Sequence, residues 1–224
     1  MLTKKLHNWD LSYSEAVELQ KRLASRVRFT ALRKKPKLIA GLDCAFSKDG
    51  QRIIAAVVVL EMPGFELVES KSAAGKVTFP YIPGLLSFRE APVCIAAVEK
   101  LKTRPDIFLI DGQGVAHPRR LGLAAHLGLF FDKPTIGCAK SRLTGAFDEP
   151  PLEKGKHSPL KDNQELIGAV LRTRTNVKPV FVSVGNKCQL KDAIDITLEA
   201  ATKYRLPEPT RLAHQLVTKL RINA

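Results

Sequence analysis

Paired cysteines, long apolar runs and acidic charge are what this sequence has little of, and each shortage excludes something. Its four cysteines, Cys44, Cys94, Cys138 and Cys188, form no C-x-x-C pair. That argues against structural zinc and against a redox motif. Each sits singly among apolar residues, where cysteine is usually a reduced core residue, so the cytoplasm is the expected compartment. The longest apolar run, Ile53–Leu60, falls far short of the roughly 18 residues that span a membrane. The opening Met1-Leu-Thr-Lys-Lys-Leu-His7 carries no hydrophobic signal region. No membrane partner is expected. No internal repeat and no low-complexity tract stands out.

Acidic residues are outnumbered. Thirty-six Lys and Arg face 22 Asp and Glu, a net charge of +14 over 224 residues. The excess sits at the two ends: residues 1–36 carry +6, residues 37–132 only +1, and residues 133–224 carry +7. A basic rim around a near-neutral middle suits a polyanionic partner, with nucleic acid the first candidate. A basic surface kept for solubility is the plainer alternative. Length and an apolar fraction of 45% fit one globular domain over 1–224 with its own core.

Periodicity predicts the elements. Ser14–Val27 reads as a helix capped by Ser14, followed by a linker at Arg33-Lys-Lys-Pro-Lys37. Leu38–Phe46, Arg52–Leu60 and Phe65–Thr78 read as strands separated by turn signals, an antiparallel meander. Leu85–Leu101 reads as a helix that Pro92 kinks or starts late. Asp106–Ile110 and Thr135–Ala139 read as short buried strands around an apolar helix, Leu121–Phe131. Glu165–Thr173 and Val180–Val184 read as further strands, and Leu190–Lys203 and Pro209–Leu220 as closing helices. Residues 146–163, rich in Pro, Lys and Gly, read as a surface loop. The order predicts a mixed sheet with helices on both faces.

Three carboxylates stand where carboxylates are unexpected. Asp43 interrupts the apolar strand Leu38–Phe46, sharing a face with Ile39, Gly41 and Ala45 by alternation. Glu90 has Leu86, Val93 and Ala97 as its helical neighbours, an apolar face. Asp111 ends the strand before Gly112-Gln-Gly114, where open α/β sheets place ligands. Each has a plain alternative: an edge-strand residue facing solvent, a first-turn helix acid, a turn aspartate. Read together, they are expected to converge near one point. Three such acids repel unless a divalent cation joins them, and oxygen ligands favour magnesium or manganese over zinc. Inside a basic protein, that pattern points to metal-assisted phosphodiester hydrolysis. The glycine loop is a poor dinucleotide fingerprint, because His117 replaces its third glycine. His126, within Leu123-Ala-Ala-His-Leu127, reads as a core histidine.

Phe79-Pro-Tyr-Ile-Pro-Gly84, Phe88-Arg-Glu90, Asp111-Gly-Gln-Gly114, Ala116-His-Pro118, Gly137-Cys-Ala-Lys-Ser-Arg142 and Leu206-Pro-Glu-Pro-Thr-Arg211 together resemble endonuclease V. This family comprises deoxyinosine-directed repair nucleases, and the likeness runs from about residue 7 onward. The order and spacing of several motifs carry it, not any single motif. The resemblance implies a ribonuclease H-like α/β fold, a mixed sheet of three antiparallel strands then parallel strands with helices on both faces. It implies catalytic roles for Asp43, Glu90, Asp111, Lys140 and His214. Asp43 and Asp111, with Glu90, would hold Mg²⁺, or Mn²⁺ in its place. Lys140 would meet the substrate phosphate, and His214 would order water. Pro80, Tyr81, Ile82 and Pro83 would form a wedge at the lesion. Gly84, Gly112, Gln113, Gly114, His117, Gly137, Ser141 and Arg142 would line the path of the nucleic acid and its turned-out base.

The implied reaction hydrolyses the second phosphodiester 3′ to deoxyinosine, leaving 3′-hydroxyl and 5′-phosphate ends. DNA containing deoxyinosine is the implied partner, with inosine-containing RNA as an alternative substrate and a monomer as the working unit. A non-catalytic nucleic-acid-binding protein is the alternative of another class. The chain departs from many relatives at Gly185-Asn-Lys187, where they carry a histidine after the glycine.

Overall fold

The computed structural model describes residues 1–222. The chain begins with helix α1 (Tyr13–Ala24). Its cap is Ser12, not Ser14: the Ser12 hydroxyl accepts from Glu15 N–H and the Glu15 carboxylate accepts from Ser12 N–H. That reciprocal pair satisfies two free helix donors, which Ser14 has no acid in place to do.

Three strands follow, β1 (Leu38–Phe46), β2 (Arg52–Glu61) and β3 (Glu66–Lys76). They pair antiparallel in sequence order, as the meander reading predicts. Helix α2 (Leu86–Glu99), β4 (Ile107–Ile110), α3 (Leu123–Phe131) and β5 (Thr135–Ala139) come next. Then come β6 (His157–Asp162), β7 (Glu165–Leu171), β8 (Val180–Asn186), α4 (Leu190–Ala200) and α5 (Glu208–Ile222). All eight strands form one sheet in the order β3-β2-β1-β4-β5-β8-β7-β6. Only β1, β4 and β5 run parallel; β8, β7 and β6 close the sheet antiparallel.

Burial on both faces explains why the central strands read as unbroken apolar runs. Ala40 and Leu42 of β1 pack in one cluster with Ala91 and Cys94 of α2. On the opposite face, Ile54 and Ala56 of β2 pack against Val217 of α5. β1 therefore lies in the middle of the sheet, covered on both sides.

Two expectations need correction. Residues 146–163 are not all loop: His157–Asp162 is the edge strand β6, with Ser158 and Leu160 buried and the residues between them exposed. The helix-breaking Pro159 obscures that alternation, yet an edge strand is where a sheet accepts proline. Pro92 neither delays nor ends its helix. α2 runs through it, and burial of Phe88, Ala91, Val93 and Cys94 around it offsets the lost hydrogen bond.

The buried histidines give the fold an acid limit. Burial lowers His7, pushes His117 down to about 4 and pushes His126 down to about 3. Unfolded histidines take up protons near 6.5, so the unfolded state binds more protons between that value and the folded ones. The histidine contribution to stability is thus complete above pH 6.5 and is lost as pH falls below it. A melting series from pH 7.5 to 4 should show a decline starting near pH 6, and His126→Phe, if folded, should flatten it.

Candidate active site

Asp43 comes from mid-β1, 8% exposed, on the face turned toward α5. The close approach of α5 depends on Gly41, two residues earlier on the same face. A Cβ there would stand 2.0 Å from the Pro209 carbonyl oxygen. With glycine, the start of α5 rests on the strand and the next turn brings His214 to the acid. Its Nδ1 lies 2.7 Å from Asp43 Oδ2. A carboxylate only accepts, so Nδ1 carries the proton and Nε2 is left with a free lone pair toward solvent. The other Asp43 oxygen accepts from the Cys44 N–H at 2.7 Å. Gly41→Ala should lower stability by about 1–3 kcal/mol and pull His214 from Asp43. Thermal melting and cleavage should fall together; an unchanged melting point would refute the contact.

Asp111 follows β4, and its N–H bonds to Leu42 O at 3.0 Å, which seats it beside β1. Asp43, Asp111 and His214 each offer one ligand atom, all within 4.8 Å of one another. Lys140, just past β5, places its Nζ 2.5 Å from Asp111 Oδ2. So the middle of β1, the ends of its neighbours β4 and β5, and one turn of α5 meet at one place, drawn from positions 43, 111, 140 and 214.

Glu90 is not in that closest triad. It lies on α2, 9% exposed and past the first turn, so the helix-start alternative fails. Burial pushes its carboxyl up to about 8, with Asp43 and Asp111 adding repulsion and a hydrogen bond from Cys44 opposing. Burial, then the charge of Asp111, also raises Asp43. Hard oxygen donors, one imidazole and acids that burial makes reluctant to ionise are a donor set that a small divalent cation fits.

The Glu90 shift has a stability consequence. Unfolded, this acid ionises near 4.5; folded, near 8. Between those values the unfolded state holds fewer protons, so metal-free stability falls as pH rises across that window. Glu90→Gln should therefore melt higher than the parent in EDTA, by at most about 3 kcal/mol at neutral pH. The gap should widen from pH 5 to 8 and shrink when magnesium is added. A parent that melts higher in EDTA at pH 8 would contradict this.

Beside the acids is a cavity of about 160 Å³ that reaches Glu90 and Asp111. Tyr81, Gly84, Ser87, Gln113 and Leu143 are among its walls. Tyr81–Gly84 forms one side: Phe79 is a buried anchor before it, while Tyr81 is 71% exposed. Gly84 has φ +79°, which favours glycine. Its carbonyl oxygen accepts from Gln20 Nε2 at 3.0 Å, Arg119 Nη2 at 2.8 Å and His117 Nε2 at 3.0 Å.

His117, expected along the path of the nucleic acid, lines the cavity and also holds this loop through Gly84 O. It is buried, and its Nδ1 accepts from the Arg119 N–H at 3.1 Å, so it is neutral with its proton on Nε2. It clamps the loop. The glycines also turn inward. A Cβ on Gly137 would stand 2.4 Å from Gly114 N, and one on Gly114 would stand 2.1 Å from Val184 O. They let the loop after β4 lie flat on the sheet; Gly112 and Gln113 remain on the cavity. Ser141 and Arg142 are exposed beside Lys140. Sequence reasoning missed Gln20, Arg119 and Ser87. The signal for Gln20 was a polar residue beside Leu19 on the buried stripe of α1.

The sheet order and the acids at its centre define a ribonuclease H-like protein with a candidate metal site. The sequence profile of the Endonuclease V family matches residues 21–215. An endonuclease V of Methanothrix thermoacetophila is 52% identical over 219 residues, 98% of this chain and 96% of the relative. The endonuclease V structure from Bacillus subtilis superimposes with a TM-score of 0.95 at 34% identity, covering 100% of this chain and 98% of that one. The chain belongs to the endonuclease V family, nucleases that act on phosphodiester bonds. A Ciona intestinalis endonuclease V, 29% identical with a TM-score of 0.80 over 94% of this chain and 97% of that one, was solved with DNA containing an inosine followed by a ribo-adenosine. No helix among the described residues is long and apolar enough to cross a membrane.

Proposed function

We propose that this protein is a repair endonuclease that turns deoxyinosine out of DNA and hydrolyses the second phosphodiester bond 3′ to it. The observation that carries the reading is the adjacency of two features. A cavity of about 160 Å³ is lined by Glu90 and by Asp111, the latter a member of the triad of Asp43, Asp111 and His214. A base lodged in the cavity leaves its own backbone beside the acids.

Asp43 and Asp111 would hold Mg²⁺ or Mn²⁺, with Glu90 behind them. When bound, the cation supplies charge neutralisation and the activation of water. The chain does the rest. His214, tethered to Asp43 through Nδ1, presents Nε2 to take a proton from water. Lys140 sets a compact positive charge against a phosphate oxygen. Arg142 and Ser141 extend that contact along the strand. Tyr81 stacks on the bases the lesion leaves behind. A base in a mismatch is easier to extrude than a paired one, which favours a deaminated adenine.

The Ciona complex, with a ribonucleotide after its inosine, supports inosine-containing RNA as a second substrate. End-labelled duplexes test both: a single inosine in DNA, in DNA with one ribonucleotide on its 3′ side, and in RNA, each with magnesium or EDTA. One nick at the second 3′ phosphodiester, with magnesium only, is expected on DNA. Faster cleavage of RNA would move the reading to an endoribonuclease. Binding without cleavage would move it to a non-catalytic binder.

A further inference from the structure

One hydrogen-bond chain runs from the surface to the wall of the cavity, and its polarity is fixed at the outer end. His7 Nδ1 lies 2.7 Å from the Asn8 carbonyl oxygen. A carbonyl only accepts, so Nδ1 carries the proton of His7 and Nε2 holds a lone pair. That Nε2 stands 2.9 Å from His126 Nε2. Two lone pairs cannot face each other at that distance, so His126 carries its proton on Nε2 and donates it to His7. Its Nδ1 is then an acceptor, and it stands 3.0 Å from Ser87 Oγ. The Ser87 hydroxyl must donate inward.

Both imidazoles are held neutral by burial, which lowers His7 and pushes His126 down to about 3. They are also packed in place: the His7 and His126 rings stack with centroids 5.1 Å apart, and Trp9 and Phe130 enclose them. The chain therefore does not reverse at neutral pH. Ser87 is 3% exposed and belongs to the wall of the cavity beside Glu90. With its single proton committed to His126, what it offers a ligand is lone pairs.

The same polarity recurs nearby. Gln113 Nε2 donates to Ser141 O at 2.9 Å, which fixes the amide with Oε1 as its remaining polar atom, and that buried Oε1 has no partner. Two side chains of the cavity are thus set as acceptors by partners outside it.

We infer that Ser87 Oγ accepts the N1–H of a hypoxanthine base turned into this cavity, so that Ser87 is a specificity-determining residue whose acceptor state is imposed by His126 and His7. This rests on the function proposed above. Hypoxanthine has one N–H on its pairing edge, at N1. Adenine presents a bare N1 lone pair there, acceptor against acceptor. Deamination thus changes the atom that Ser87 would touch. Guanine shares the N1–H, so this contact separates hypoxanthine from adenine, not from guanine.

The test pairs a changed protein with a changed base. Duplexes carrying deoxyinosine, 1-methyldeoxyinosine or deoxyadenosine at one position are titrated with the full chain in calcium, and with Ser87→Ala and Ser87→Thr. Loss of one such hydrogen bond is worth roughly five- to tenfold in affinity. Ser87→Ala should lose that factor on deoxyinosine and nothing on the methylated base, which has no N1–H to give. Ser87→Thr, which keeps the hydroxyl, should restore preference for deoxyinosine over the methylated base. Equal loss on both bases, or no loss on deoxyinosine with an unchanged melting point, overturns the inference while the proposed function stands. A parent protein that binds deoxyinosine and deoxyadenosine duplexes alike overturns both.

Discussion

Asp43→Asn is expected to lower cleavage of inosine-containing DNA by roughly a thousandfold or more, the scale of about 4 kcal/mol of lost transition-state stabilisation. Asn keeps the size and the hydrogen bond from Cys44 N–H but removes the negative charge that pairs with His214 and faces the Asp111 carboxylate. It also relieves repulsion in the metal-free protein, so its melting point in EDTA should equal or exceed that of the parent. Affinity for the same duplex should change little, because the cavity and the Tyr81 loop are untouched. The measurement is single-turnover cleavage beside a binding titration. Binding and cleavage falling together would show that Asp43 shapes the site and does not serve the reaction.

Tyr81→Ala is expected to act on binding. Stacking on an exposed base is worth about 1–3 kcal/mol, or roughly five- to a hundredfold in affinity. The side chain is 71% exposed and contributes little to the core, so its loss should leave the melting point unchanged. The loop itself stays clamped by the three donors on Gly84 O. Discrimination should fall: affinity for an inosine duplex drops while affinity for an undamaged duplex, set by Lys140, Arg142 and the other cations, holds and keeps its salt dependence. Equal losses on both duplexes would mean that Tyr81 only adds surface.

Much of this architecture was readable before any coordinate, and for a physical reason. Strands buried on both faces write themselves as apolar runs, so Leu38–Phe46 and Thr135–Ala139 are found with both ends in place. An acid inside such a run is a sharp signal, and Asp43 stood out. What stayed hidden depends on closure between distant segments. His214 lies 171 positions after Asp43 on a helix that reads as ordinary, so only the family resemblance pointed to it. The Gly84 clamp joins α1, the Pro-rich loop and the segment after β4, three places with no common pattern. Ser87 gave no signal at all, since a serine early in a helix is unremarkable; only the two histidines behind it give it a direction. Strand β6 was lost because proline and lysine at its exposed positions imitate a loop.

The seating of α5 on Gly41 has a consequence for the order of events during synthesis. Translation delivers β1, α2 and β4 first, so the three carboxylates are made long before the helix that brings His214 to them. Until α5 has left the ribosome, the face of β1 and β2 that it covers stays open, with Ile54 and Ala56 unburied and Asp43 lacking its imidazole. A growing chain therefore carries the acids without the completed site. The site is complete only once α5 has been made and seated on β1.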